Sequence, residues 1–487
     1  MAKVLFTHSY FYKFDTKQWK AKQYYPPLAT IYAASCIRKR GFDVSLFDTN
    51  LISSPDEIIP ILDEDKPDYL IVYDDGFNYL TKMCLTNMRE AAFRLSQLGK
   101  EKGCTVILSS SDSTDHYEKY LDKGTDYVIL GEAELTLSKL LSNLEENKTD
   151  VSNIAGLAYR NNNATINTGK RDILTNLDSL SLPAWDLVDI NTYKKIWIDN
   201  HGIFSLNIAT TRGCPFKCNW CAKPIYGNRY NSRSPEEVSN EIEHLIENYH
   251  VDHFWICDDI FGLIPGWVQA FRDIVRDRKL KFKYKIQSRV DLLLAEDTID
   301  ALAESGADTV WVGAESGSQK ILDAMDKGTT IEQIYKATKL LKGKKIRTAF
   351  FLQFGYLGET KEDIRQTIDM LLELMPDDMG ISVSYPLPGT LFYEKVKDEL
   401  KKKANWTDSD DLALMFRNNF SPKYYKKLHR YVHKIYRRKQ GFQSLLTLLR
   451  HPSSISKKRI RSIIASLYYI PISLIELLQL KKLEKAA

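Results

Sequence analysis

The chain has 487 residues, too many for one compact core, and its 44% hydrophobic and 27% charged residues exclude a polymer that stays disordered for want of apolar surface. Seven cysteines (Cys36, Cys84, Cys104, Cys214, Cys218, Cys221, Cys257) lack the regular pairing of a secreted disulfide scaffold and fit a reducing cytoplasm. The net charge of +5 is uneven: residues 417–461 hold fourteen Lys or Arg and no acid, so the remainder is net acidic and any anionic partner belongs to that segment.

The opening stretch MAKVLFTHSYFYKF runs directly into an apolar strand-like run without a small-residue cleavage pattern, so export is not expected. Residues 1–150 then alternate short β-branched runs with helical segments. KVLFTH, DVSLFD, YLIVYDD, TVILSSS and DYVILGE predict five strands, with helices such as PPLATIYAASCIRKRG between them. The expected fold is α/β, a doubly wound, flavodoxin-like (Rossmann-type) sheet, in which ligands sit beyond the carboxyl ends of the strands. Those ends carry His8, Asp48, Asp74, Asp75, Ser109, Ser111, Asp112, Gly131 and Glu132. No G-x-G-x-x-G follows the first strand, which argues against a dinucleotide. The aromatic stretch SYFYKFDTKQWKAKQYYPP there suits the covering of a broad flat ligand instead.

Residues 151–200 read as a connector with a small hairpin, GLAYRNNNATINTGK. From 201 to 400 a second series begins: FSLNIATT, HFWICDD, KYKIQSRV, TVWVGAES, RTAFFLQFG and MGISVSYP predict six strands separated by amphipathic helices. Six βα units suggest a partial (β/α)6 TIM barrel with its working residues at the strand C-termini. Residues 401–487 are expected to be a helical, basic region. Its apolar stretch SIIASLYYIPISLIELLQL contains Pro471 and Glu476, which argues against a bilayer span. A helix lying on an anionic membrane surface and a helix covering the domain both fit it.

GCPFKCNWCAKP places Cys214, Cys218 and Cys221 in one short window at the end of the first barrel strand. A structural zinc site closes with four ligands, and Cys257 would have to be drawn in alone. Three thiolates can instead hold three irons of a 4Fe-4S cube and leave the fourth iron open. Gly213 and Pro215 let the chain turn around such a group, and Trp220 can shield one side from water.

C-x-x-x-C-x-x-C after the first strand of a βα barrel resembles the radical S-adenosylmethionine (SAM) superfamily. ICDDIF, QSRVD, VGAESGS and FFLQFGYLGET follow in that family's order, at the ends of the second to fifth strands. YYPPLATIYAASCIRKRGFDV and GTDYVILGEAELTLSKLL resemble the cobalamin-binding domain that precedes the barrel in the B12-dependent branch. The resemblance covers roughly residues 3–420 and implies that the open iron chelates SAM, whose reductive cleavage yields a 5′-deoxyadenosyl radical. It also implies that Asp258 and Asp259 accept hydrogen bonds from the methionyl ammonium, and that Arg289 and Glu315 lie near the carboxylate and ribose. Asp75, Ser109, Ser111, Asp112, Gly131 and Glu132 would line the cobalamin site. The family's D-x-H-x-x-G lower-ligand motif is absent, leaving an unligated lower face or His8; the first is preferred, because a lone histidine at a strand end usually serves packing.

The function expected from this is methylation of an unactivated carbon, or phosphorus, of a small-molecule intermediate, with ring formation, oxidation or rearrangement without methyl transfer as the alternative. An electron donor such as a flavodoxin or ferredoxin is implied. The enzyme is expected in the cytoplasm, with peripheral contact at the inner face of the membrane one reading of the tail. From a different class, a structural-metal protein binding nucleic acid or membrane would use KYYKKLHRYVHKIYRRK, but no nucleic-acid motif accompanies it and a solvated helix face is preferred.

Overall fold

The computed structural model describes residues 1–148, 150–162, 164–223, 225–400 and 403–485, so Asn163 of the expected hairpin and Pro224 of the cysteine window lie outside the description. The first domain is a seven-stranded sheet. Strands β1 (Lys3–Thr7), β2 (Asp43–Phe47), β3 (Tyr69–Tyr73), β4 (Thr105–Ser109) and β5 (Tyr127–Ile129) run parallel in the order β2-β1-β3-β4-β5, the flavodoxin-like order. The hairpin β6 (Leu157–Asn161) and β7 (Ala164–Asn167), expected within a connector, adds antiparallel to β5 and extends this sheet.

Alternation along β1 explains how the sheet is sandwiched. Val4 and Phe6 point into a core shared with the rest of the molecule, whereas Leu5 points to a separate apolar cluster on the other face with Leu70, Val106 and Leu108. The helix Leu28–Arg38, LATIYAASCIR, is apolar nearly all round because it is covered on both sides, and eight of its eleven residues are buried. Each fully buried Leu or Ile there contributes about 1.5–3 kcal/mol of transfer free energy. The Asp75 carboxylate accepts the Ala29 N–H at 3.1 Å, capping the first turn of that helix.

The second domain is a six-stranded parallel sheet: β8 (Ser205–Ile208), β9 (His253–Ile256), β10 (Lys283–Ser288), β11 (Ala307–Glu315), β12 (Arg347–Phe354) and β13 (Asp378–Val383), paired strictly in sequence order. Along β10, Tyr284, Ile286 and Ser288 are buried against the covering helices while Lys285 and Gln287 are only partly covered, the alternation of a curled sheet with a lumen. Helices Pro422–Arg450 and Lys457–Lys485 close the chain as a packed pair. A Cβ at Gly441 would stand 2.4 Å from both the Ser462 carbonyl oxygen and the Ser466 Cβ, so a residue without a side chain is what lets the two helices meet.

Candidate active site

The cysteine loop leaves the C-terminal end of β8 and is stapled at its base by a ribbon in which Thr211–Arg212 pairs antiparallel with Asn231–Ser232. Gly213 has φ 80°, and a Cβ there would lie 2.2 Å from the Arg229 carbonyl oxygen, so the loop closes only around glycine. Asn219, between the second and third cysteines, anchors the loop to the barrel. Its Nδ2 donates to the Ala324 carbonyl at 2.8 Å and to Asp326 at 2.7 Å, and its Oδ1 accepts the Tyr356 hydroxyl at 2.6 Å. Cys214, Cys218 and Cys221 are free and partly exposed. Among the described residues no three His, Cys, Asp or Glu side chains converge on one metal position, these thiols included. Burial pushes the Cys221 thiol up to about 12 and raises Cys214 as well. Cys257 is withdrawn: it is buried, and its Sγ donates to the Ile208 carbonyl at 3.1 Å.

The two acids after β9 face different ways. Asp258 accepts the Thr210 and Thr211 N–H groups at 2.7 and 3.0 Å and the Thr210 hydroxyl, holding the start of the cysteine loop; burial lifts its carboxyl to about 6. Asp259 is partly exposed and paired with Lys82, which comes from the first domain just after β3. Arg289 lies 3.7 Å above the Phe216 ring, pairs with Asp291 at 3.0 Å and donates to the Lys327 carbonyl at 2.8 Å. Glu315 has φ 56° beside a register shift in β11, and its carboxylate pairs with buried Lys327 at 2.8 Å. A Cβ at Gly313 would meet the Lys327 Nζ at 2.6 Å and the Glu315 Oε1 at 2.9 Å, so glycine makes room for that pair. Desolvation opposes the charge on both lysines, and Asp259 beside Lys82 and Glu315 beside Lys327 more than offset it. Two paired ammonium groups therefore stand at the strand ends where the cysteine loop is anchored. Trp220 packs partly buried beside them, its indole N–H without a partner among the described residues.

At the edge of the first sheet the picture is different. Asp112 is gripped by Arg89 through two 2.5 Å bonds and by the Tyr120 hydroxyl at 2.6 Å. Glu132 pairs with Arg212 and accepts the Leu174 N–H at 2.5 Å; Glu134 takes the other arm of Arg212 at 2.6 Å. This buried cluster joins the two domains. Asp75 caps a helix, as described above. Asp74 bridges to Ser9 through two bonds of 2.7 and 2.8 Å, and burial lifts it to about 6. His8 is buried with Nε2 at 2.9 Å from Asp48 and Nδ1 at 3.0 Å from the Thr49 hydroxyl, a packing role. Gly131 (φ 80°) donates its N–H to the Thr114 hydroxyl at 3.2 Å. Ser109 and Ser111 line a small cleft with Asp74 and Gly76 on one side and Ile225 and Tyr226 of the cysteine loop on the other.

Sequence reasoning did not single out Lys82 or Lys327, which only the fold brings near the cysteine loop, nor Arg212 and Asn219, which neighbour the cysteines in sequence but whose partners Glu132, Glu134, Asp326 and Tyr356 are distant in it. A cavity of about 1030 Å³ opens between Tyr12 and Tyr25 of the aromatic stretch, the barrel residues Trp255, Lys285 and Trp311, and the helix Pro422–Arg450.

Residues 208–371 match the family described as the radical SAM superfamily. An uncharacterized methyltransferase of Pyrococcus horikoshii is 27% identical over 390 residues, covering 78% of this chain and 81% of its own. The anaerobic magnesium-protoporphyrin IX monomethyl ester cyclase of Rubrivivax gelatinosus is 26% identical over 388 residues, 77% and 67% of the two chains. Among solved structures, the radical SAM methyltransferase TsrM from Kitasatospora setae, with cobalamin and a 4Fe-4S cluster bound, superposes with a TM-score of 0.66 at 19% identity over 82% of this chain and 75% of its own. The cobalamin-dependent SAM radical enzyme OxsB, with aqua-cobalamin bound, superposes with a TM-score of 0.72 at 17% identity over 99% and 72%. With the cysteine loop on the first strand of a six-stranded barrel behind a flavodoxin-like domain, the chain is an enzyme that carries a radical SAM domain over residues 208–371 and is folded like cobalamin-dependent radical SAM enzymes.

Proposed function

We propose that this enzyme is a cobalamin-dependent radical SAM methyltransferase acting on an unactivated carbon, or phosphorus, of a small-molecule intermediate. The observation that carries the reading is the meeting of three free thiols at the end of β8 with the carboxyl edge of the flavodoxin-like sheet, across the Lys82–Asp259 contact. When bound, a 4Fe-4S cluster on Cys214, Cys218 and Cys221 supplies the electron that cleaves SAM, and cobalamin supplies the methyl group. The donor set fits: Cys257 is engaged elsewhere, which leaves three ligands, and Lys82 and Lys327 offset the thiolate charge.

The chain's own residues divide the remaining work. Asp259 receives the methionyl ammonium, and Asp258 acts as a positioning residue that fixes the loop. Glu315 and Arg289 orient the ribose and carboxylate. Ser109, Ser111 and Gly131 meet the cobalamin from the sheet edge, whereas Asp75, Asp112 and Glu132, already engaged, shape that edge from behind. The engaged ring of His8 supports a lower face without a protein ligand. Electrons come from an external donor such as a flavodoxin or ferredoxin. The exposed apolar side of the helix Lys457–Lys485, including Leu467, Tyr468 and Leu478, supports peripheral contact with a membrane, while its other side covers the protein through Ser473 and Glu476.

A second reading, ring formation without methyl transfer, is favoured by the cyclase among the relatives. Anaerobic reconstitution with iron, sulfide and hydroxocobalamin, followed by spectroscopy and a deoxyadenosine assay, tests the cofactors. Cys218→Ala should abolish the visible cluster absorption and deoxyadenosine formation without unfolding the chain, and retention of full SAM cleavage would contradict the assignment. Consumption of a second SAM per product, as methyl donor, separates methylation from cyclisation.

A further inference from the structure

The large cavity has two chemically distinct ends. Its inner wall is aromatic and apolar: Tyr25, Trp255, Trp311, Phe351 and Ile381. Its outer end is cationic, with Lys17, Lys20, Arg430 and Arg437. Two acids line it, Asp410 and Glu476, and Glu476 is already paired with Lys427 and Lys434 at the helix–helix contact. Among the described residues none of the four outer cations has a carboxylate within ion-pair distance, and Arg437 donates only to the Gln440 side chain at 3.0 Å. All four are exposed, so water screens their mutual repulsion, and together they give the mouth of the cleft a positive potential that attracts an anion.

Among the described residues, two polar groups deeper in the cavity also lack partners. Lys285, on β10, points its ammonium between the Tyr25 and Trp255 rings, 5.1 and 5.2 Å from their centroids, with no acid in contact. His429, one turn before His433 on the helix, has a buried Nε2 without a hydrogen-bond partner. Burial, aided by neighbouring Lys17 and Arg430, lowers His429 to about 4, so at neutral pH it offers an uncharged N–H. The helix Lys457–Lys485 closes the cavity with Tyr469 and turns Leu467, Leu474 and Leu478 outward to solvent. An apolar surface thus adjoins the basic mouth.

We propose that this cavity takes an amphiphilic oxyanion as substrate, with a phosphate- or carboxylate-type head on Lys17, Arg430 and Arg437 and an apolar body against the barrel aromatics. The inference deepens the radical SAM reading and rests on it for the identification of the bound molecule as substrate; the binding itself can be tested separately. The shared chemistry has two sources, a lipid headgroup or a water-soluble phosphate, and the arrangement of the apolar helix favours the lipid.

The test uses the full-length reconstituted enzyme with decyl phosphate, decanol and inorganic phosphate as probes, read by quenching of tryptophan fluorescence, since Trp255 and Trp311 line the cavity. Decyl phosphate should bind at least about 10-fold more tightly than decanol, and R430A/R437A should weaken it at least about 10-fold, as expected for loss of charge-assisted contacts. Lys17→Met, in a different element, should weaken it as well and stands as the check if the double variant has a lowered melting temperature. Inorganic phosphate that displaces the probe at matching concentration assigns the head to a soluble phosphate; displacement only in large excess assigns it to a lipid. Equal affinity for decanol, or undiminished binding in both variants, overturns the proposal. Absence of deoxyadenosine in the same preparation would instead remove the radical reading and leave the anion site standing.

Discussion

The barrel mouth and the edge of the flavodoxin-like sheet carry similar polar residues but use them differently. At the barrel mouth the thiols are free, Asp259 is partly open and the Trp220 N–H has no partner among the described residues, so ligand-ready groups are left over. At the sheet edge the acids are spent on their own surroundings: Asp75 caps a helix, Asp112 holds Arg89 and Glu132 holds Arg212. A carboxylate at a strand end is thus a ligand candidate only once its hydrogen bonds have been counted.

Removing Arg212 should show the strongest effect of that difference. Arg212→Ala leaves Glu132 and Glu134 buried without their cation, and should cost about 3–5 kcal/mol, read as a large fall in melting temperature. A fall of only a degree or two would mean that the domain contact is carried elsewhere. Next in size, Asp259→Ala should weaken SAM binding by about 10- to 100-fold, the loss of a charged hydrogen bond, with iron content unchanged. Asp258→Ala should do the reverse, lowering iron incorporation and stability by about 1–3 kcal/mol because the Thr210 and Thr211 donors lose their acceptor. Equilibrium dialysis with SAM and iron analysis on both variants would separate them, and identical profiles would erase the division of labour.

The smallest effect concerns Glu359, beyond the end of β12, which is fully buried and accepts the Gly355 N–H at 2.7 Å. Burial lifts its carboxyl from the usual 4.5 to about 8, with Asp363 adding to the rise. Between those two values the unfolded chain is ionised and the folded one still protonated, so the contribution to stability is full below 4.5 and is lost as pH rises toward 8. Glu359→Gln should therefore flatten the pH dependence of melting and raise the melting temperature by a few degrees at pH 8, with little change at pH 5. An unaltered profile would place the titration on another group.

The order of the strands was legible because β-branched runs and amphipathic helices alternate so regularly, and the cysteine loop was legible because its chemistry is written in consecutive spacing. The hairpin was read as linker, although β6 in fact completes the sheet, since a strand's partner is a long-range property that local pattern does not encode. Lys82 and Lys327 escaped for the same reason: they reach Asp259 and Glu315 from separate elements, and an isolated lysine in a sequence is nearly always a surface residue. The last helix packs one face on the protein, as a covering helix does, and leaves an apolar face exposed, because a helix can be apolar on more than one side.

The Lys82–Asp259 contact has one member in each domain, with side chains 18% and 29% exposed. A second cation arriving at that carboxylate meets Lys82's repulsion as well as Asp259's attraction, so occupancy of the spot and the hold between domains are thermodynamically linked. Whatever tightens the clasp loosens the incoming guest by an equal factor, and the guest, once seated, slackens the clasp in return.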